Sequence, residues 1–158
     1  MDRKEAGKLG ERLPYAAILP QAYQALRGLD QATGDLGLDK ALLELVKVRV
    51  SQINRCAFCI DMHTKDARAL GESEQRLYGL SAWRETPYYS ERERAALAWA
   101  ESVTLLIDSV PDRLYEETRK WFADDELVGL TLAVVAINSW NRFAISFRTL
   151  PGSYRGHQ

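Results

Sequence analysis

From Leu127 to Phe147 the chain carries a run that is apolar on nearly every side: Leu130, Leu132, Val134, Val135, Ile137, Trp140, Phe143, Ile145 and Phe147. Asp124, Asp125 and Glu126 open it, and acids at that end favour a helix. A helix that is apolar all round must be covered all round. The fold therefore has to wrap its other elements about this one. In a chain of 158 residues, subunit contacts are a natural source of part of that cover. The most apolar portion, Leu127 to Ile137, is too short to span a bilayer and is followed by Asn138, Asn141 and Arg142.

The rest of the chain also reads as helix. No alternating strand pattern of useful length appears, and glycine and proline fall mainly between helical patterns. Gln21 to Leu29 is a short helix stopped near Gly28 and Gly34. A long one starts after Gly37 with Asp39 as cap and carries Leu42, Leu45, Val46, Val48, Val50 and Ile53. Asn54 is the expected N-cap of the next, which ends at Gly71. Ser73 caps a short helix with Gln75 and Arg76 on its exposed side. Ser90-Glu-Arg-Glu opens a further helix as a capping box, and Pro111 starts another through Trp121. The class is all-α: one compact domain over 1–158, its core about 15–148, between polar N- and C-terminal tails expected to be loosely held.

Hydrophobic residues at 46% and charged ones at 27% describe an ordinary globular protein, and the net charge of −1 gives no bulk pull toward nucleic acid or an acidic membrane. Neither is expected as a partner. The charged start Met-Asp-Arg-Lys-Glu leads into no apolar signal core, so a cytoplasmic protein is expected.

The chemistry gathers between Glu44 and Arg68, which hold both cysteines and one of the two histidines. Cys56 and Cys59 form a CxxC, and His63 follows four residues later. At about 100° per residue these three share one helical face. A thiol of ordinary pKa is only about 3% thiolate at neutral pH, and the thiolate is the form that attacks. The unpaired amides and positive dipole of a helix N-terminus favour the anion. Positions three apart also allow a disulfide, so one sulfur can attack while the other resolves, with no cofactor. His63 can move a proton near neutrality, and Asp66, one turn on, could orient it. Glu44 lies in Leu42-Leu43-Glu44-Leu45-Val46. It is either a solvated charge, which periodicity favours, or a partly buried carboxyl of raised pKa able to relay protons. Trp99, Trp140 and Asn141 could line a pocket, but aromatics at helical spacing are more often core, and no role is assigned to them.

Glu44, Cys56-Ala-Phe-Cys59 and His63, at these offsets, resemble the signature of the AhpD-like alkyl hydroperoxidase branch of the carboxymuconolactone decarboxylase family. Tyr89-Ser-Glu-Arg-Glu-Arg-Ala-Ala-Leu-Ala-Trp99 is also similar to the segment that follows the motif in many small members. The resemblance spans roughly residues 15 to 148. It implies an all-helical fold assembled into trimers or hexamers, and reduction of hydroperoxides through a cysteine pair. Cys59 would attack, Cys56 would resolve and pass a proton, and Glu44 and His63 would complete the relay. An external thiol reductant, in the best-known relatives a lipoyl-carrying protein, would restore the dithiol, and a peroxiredoxin is a further implied partner. The best-known hydroperoxidases have a histidine immediately before the second cysteine, where this chain has Phe58. The decarboxylase branch lacks the cysteine pair. Two other readings stand beside this one: a zinc site of Cys56, Cys59 and His63 with Glu44 as fourth ligand, and a non-catalytic helical oligomer whose cysteines respond to oxidants. His157 is a poor source of any further zinc ligand.

Overall fold

The structure, a computed structural model, describes residues 10–34 and 36–156. All its regular elements are helical, with no strand among the described residues. In order they are α1 (Tyr15–Ile18), α2 (Pro20–Gly34), α3 (Lys40–Asn54), α4 (Ala57–Ala69), α5 (Glu74–Gly79), a 3₁₀ turn (Leu80–Glu85), α6 (Glu91–Leu105), α7 (Asp112–Arg119) and α8 (Asp124–Phe147).

Two apolar faces on α3 organise the packing. Leu42, Leu43, Val46 and Val50 face one cluster with Leu130, Val134 and Ile137 of α8. Leu45 and Val48 face another with Leu77, Leu80, Trp83 and Leu97. Covered on both sides, α3 packs against α4, α6 and α8. Each fully buried Leu or Val contributes roughly 1.5–3 kcal/mol of transfer free energy. Leu45 is 1% exposed, and its truncation to Ala would cost about 2–5 kcal/mol.

The caps explain where the helices begin. The Asp39 carboxylate accepts the Ala41 N–H at 2.9 Å, and Ser90 and Glu93 form the reciprocal capping box of α6. Gly28 does not stop α2, which runs on to Gly34. A glycine inside a helix costs only about 1 kcal/mol relative to alanine, and the packing of α2 on α8 outweighs it. At Gly129 of α8 an added Cβ would stand 3.0 Å from Leu36, so the absent side chain lets residues 36–38 cross α8 closely.

By length and composition α8 could cross a membrane. Here it is a core helix, with nine residues buried from Leu127 to Ala144. Val128, Val135 and Ile145 remain exposed on its outer side.

Three expectations need correction. Arg76 is not simply exposed, because its guanidinium holds Glu72, Glu93 and the Tyr88 carbonyl together. The C-terminal segment is not free either: Gly152 N–H donates to Asp61, Lys65 donates to the Tyr154 carbonyl, and the Tyr154 hydroxyl donates to Asp66 at 2.7 Å. At the other end, Arg12 N–H donates to the Phe147 carbonyl, while residues 1–9 and His157 lie outside the described residues.

Candidate active site

The site is built at the joint between α3 and α4. Asn54 does not cap α4: α3 runs through it, Arg55 turns left-handed at φ 59°, and Cys56 is itself the N-cap. A non-glycine residue in that region costs about 1–2 kcal/mol. Side-chain amides pin the turn in place, with Asn54 Nδ2 donating to Asn138 Oδ1 at 2.9 Å and to Asn141 Oδ1 at 2.8 Å. Asn141, fully buried, donates in turn to Ser51. The joint is thereby tied to α8, and the first turn of α4 is presented with its N–H groups toward sulfur. The Cys59 N–H points to the Cys56 sulfur at 3.4 Å.

Cys56 and Cys59 are joined as a disulfide, their Cα atoms 5.3 Å apart, and are 1% and 2% exposed. The two sulfurs differ in access. Cys59 lines a cavity of about 830 Å³, together with Glu44, His63 and Asp66, and Cys56 is not part of its wall. Aromatic groups make up much of the remaining surface, with Tyr23 and Trp140 edge to face at 5.6 Å. Phe58, in the position where a second histidine was absent from the motif, also faces this cavity.

Glu44 and His63 meet across the joint. His63 Nδ1 lies 2.7 Å from Glu44 Oε2, and since an ionised carboxylate only accepts, Nδ1 carries the hydrogen. In the neutral ring this leaves Nε2 as the basic nitrogen. Glu44 Oε1 accepts from Lys47 at 3.0 Å. Glu44 is therefore largely buried, as the second alternative had it, but its pKa is not raised. Burial pushes its pKa up, but the hydrogen bond and charge of His63, then those of Lys47, outweigh burial and hold the carboxyl below its ordinary value.

Asp66 does not orient His63. Glu44 has that position, and Asp66 accepts from Tyr154. Carboxylate and imidazole atoms of Glu44, His63 and Asp66 come within 4.8 Å of one another, close enough to consider a cation. Their donors are already engaged: Glu44 by Lys47 and His63, Asp66 by Tyr154. With both cysteines bonded to each other, the zinc set expected from Cys56, Cys59, His63 and Glu44 has no thiolate in this form. The arrangement suits hydrogen-bond relay better than ligation.

Cys56, Cys59, His63 and Glu44 lie together at this joint, with Cys59, His63 and Glu44 on the cavity wall, and Trp140 lines the cavity as well. Lys47 was missed, although its spacing of three from Glu44 is a helical-pair signal. Tyr15, Tyr23 and Tyr154 gave no signal, since only tertiary packing brings them here.

An all-helical AhpD-like fold holding a paired-cysteine site is thus the class of protein. The chain belongs to the carboxymuconolactone decarboxylase family, whose profile matches residues 20–102. It is 43% identical over 139 residues to the uncharacterised Bacillus subtilis protein YdfG, spanning 87% of this chain and 95% of that one. Among solved structures it resembles a protein of unknown function from Agrobacterium tumefaciens, named as a candidate antioxidant defence protein AhpD. That similarity has a TM-score of 0.88 at 42% identity over 92% of this chain and 100% of the other. An uncharacterised peroxidase-related protein from Ralstonia eutropha, described as an alkylhydroperoxidase AhpD core, shares the fold at TM-score 0.79 and 22% identity. There the cover is 87% of this chain and 74% of that one.

Proposed function

We propose that the chain is a thiol-dependent hydroperoxide reductase. One observation carries this reading: a CxxC disulfide with Cys59 on a cavity wall and Cys56 behind it, one helical turn from an imidazole held by a carboxylate. In the dithiol form, His63 takes the Cys59 proton, and the N-terminus of α4 favours the resulting thiolate. The sulfur attacks the terminal oxygen of ROOH. An S–O bond forms, the O–O bond breaks, and the alkoxide leaves as ROH with the proton from His63. Cys59 is now a sulfenic acid. Cys56 loses its proton to the relay, its thiolate attacks the Cys59 sulfur, and hydroxide leaves as water with that proton. The two electrons that reduce the peroxide come from the cysteine pair, and an external dithiol returns them by exchange. Glu44 keeps the imidazole in one tautomer and stabilises its cation.

A dithiol carried on a lipoyl protein is the proposed physiological reductant, and a peroxiredoxin a further partner. The outward Val128, Val135 and Ile145 of α8 are the proposed contacts of a trimer or hexamer, to be checked by sedimentation.

The test is peroxide consumption with dithiothreitol for the native chain, Cys59→Ser and Cys56→Ser. Cys59→Ser should fall to background, and Cys56→Ser, which has no resolving thiol, should turn over only as fast as dithiothreitol itself reduces the Cys59 sulfenic acid. Equal rates in all three sink the proposal. Stoichiometric zinc in reduced protein purified without added metal would favour ligation instead.

A further inference from the structure

Asn141 is out of place in the apolar helix α8, where it is 0% exposed. Its amide reaches two residues in the last turn of α3, just ahead of the cysteines. Oδ1 accepts from Asn54 Nδ2 at 2.8 Å, and Nδ2 donates to Ser51 Oγ at 3.1 Å. Ser51 is also fully buried, and its carbonyl accepts the Cys56 N–H at 3.0 Å. Asn138 takes the other Asn54 N–H at 2.9 Å and is tied in turn to Thr104 of α6 at 3.0 Å. Asn141 thus grips both the residue before the left-handed turn and the residue on which Cys56 is anchored.

Stability does not account for this arrangement. Replacing two buried hydrogen-bonded partners by apolar groups of the same shape is close to neutral, so an aliphatic pair at 51 and 141 would fill the same space. What an aliphatic pair lacks is direction. Arg55 stands at φ 59° and ψ 39°, a region that a residue with a Cβ leaves unless its surroundings over-determine it. Arg55 is itself exposed, so the hold comes from Asn54 on one side and from the Ser51 carbonyl, through Cys56, on the other. That turn sets Cys56 as the cap of α4, with its sulfur on Cys59. In the disulfide the covalent bond keeps the turn shut. The dithiol has only the hydrogen bonds.

We propose that Asn141 is a positioning residue for the cysteine pair. Acting through Ser51 and Asn54, it keeps the two thiols in closing register and so biases their equilibrium toward the disulfide. The freedom released by its loss is open to the dithiol alone, and ordering one residue's backbone is worth about tenfold. The inference rests on the dithiol and disulfide cycle of the reading above, not on peroxide as the oxidant.

The test is equilibrium with dithiothreitol, which passes two electrons and two protons to the pair, breaking the Cys56–Cys59 bond, and closes to its own cyclic disulfide. The full chain is incubated in mixtures of reduced and oxidised dithiothreitol, and the dithiol fraction is trapped by alkylation and read by mass. Asn141→Leu should be reduced about tenfold more readily than the native chain, a potential about 30 mV less negative. Asn54→Ala and Ser51→Ala, each removing part of the set, should shift the same way by about threefold, and they decide the matter if Asn141→Leu fails to fold. Thr118→Val breaks the bond of an equally buried hydroxyl to the Leu114 carbonyl, far in sequence from the joint. It should lower stability and leave the equilibrium within about twofold of native. No shift in Asn141→Leu, or in both alanine variants if it does not fold, overturns the positioning role. So does a shift toward harder reduction, or one of equal size in Thr118→Val. A chain that consumed no peroxide would sink the reductase reading and leave this equilibrium readable, whereas an unmoved equilibrium would sink the positioning role alone.

Discussion

Glu44, on α3, and Glu101, on α6 beside it, are both largely buried carboxylates, and their partners differ. Glu101, on α6, accepts from Arg49 at 2.8 Å, from the Trp83 indole at 2.8 Å and from Arg84 at 2.5 Å. Its partners are two guanidiniums and an indole, and Glu101 does not line the 830 Å³ cavity. Glu44 instead shares its charge between a lysine and an imidazole, and it does face the cavity. Burial with charge pairing is common to both. What separates the two is an imidazole partner on a cavity wall, which is what the proposed relay needs and Glu101 lacks.

Exchanging each carboxyl for its amide should split the two roles. Glu44→Gln should lower turnover about 100-fold, the scale of general acid–base catalysis, with Cys59 still able to be alkylated. Glu101→Gln leaves two guanidiniums and an indole short of their shared acceptor. It should cost about 3 kcal/mol of stability, as breaking a buried ion pair does, while the protein that remains folded keeps its turnover. Coupled peroxide assays and urea unfolding on both variants check this. If Glu101→Gln loses turnover without losing stability, the division is wrong.

Acid should weaken both carboxylates with the same sign. Burial raises the Glu101 pKa, but the bonds from Trp83, Arg84 and Arg49 outweigh it, so its folded value, like that of Glu44, lies below the ordinary 4.5. A depressed carboxyl contributes stability that is present above its unfolded pKa and is lost as pH falls through the folded one. Urea midpoints should therefore hold from pH 7 to about 5 and drop below about 4.5. The drop should be shallower in Glu101→Gln. A midpoint that rises on acidification would refute the assignment.

The sequence made most of the helices and the grouping of Cys56, Cys59 and His63 legible because both depend on local spacing. Asp39 and Ser90 announce their helices by capping chemistry, and Cys59 and His63 share a face by arithmetic, while Cys56 caps the helix from outside it. Glu44 was legible as a member of the set, but its charge state was not, since this depends on Lys47 and His63 arriving together. Asn54 misled for a physical reason. It is a good cap residue in composition, yet its amide is taken by Asn138 and Asn141 across 84 and 87 positions, and the left-handed turn falls on Arg55 with no glycine to mark it. Tyr154 reads as tail because its contacts with α4 are all long-range.

Removing the cations one at a time gives smaller effects that still sharpen the comparison. Lys47 is 13% exposed in its side chain, and its loss leaves Glu44 with His63 alone. Lys47→Met should move turnover more than stability, roughly three- to tenfold, the scale of one charge-assisted hydrogen bond partly open to solvent.

Arg84 should matter least, although its bond to Glu101 is the shortest of the three. Its side chain is 57% exposed, so water and salt screen the pair and the entropy of a long side chain is lost in making it. It also lies over the Trp83 ring at 4.2 Å, an exposed stacking contact of modest worth. Glu101 would keep Arg49 and the Trp83 indole as donors. Arg84→Ala should therefore cost no more than about 1 kcal/mol, shrinking further in 0.5 M salt, with turnover unchanged. A loss near that of Glu101→Gln would mean that the exposed guanidinium, rather than the enclosed donors of α3 and the 3₁₀ turn, holds this carboxylate in place.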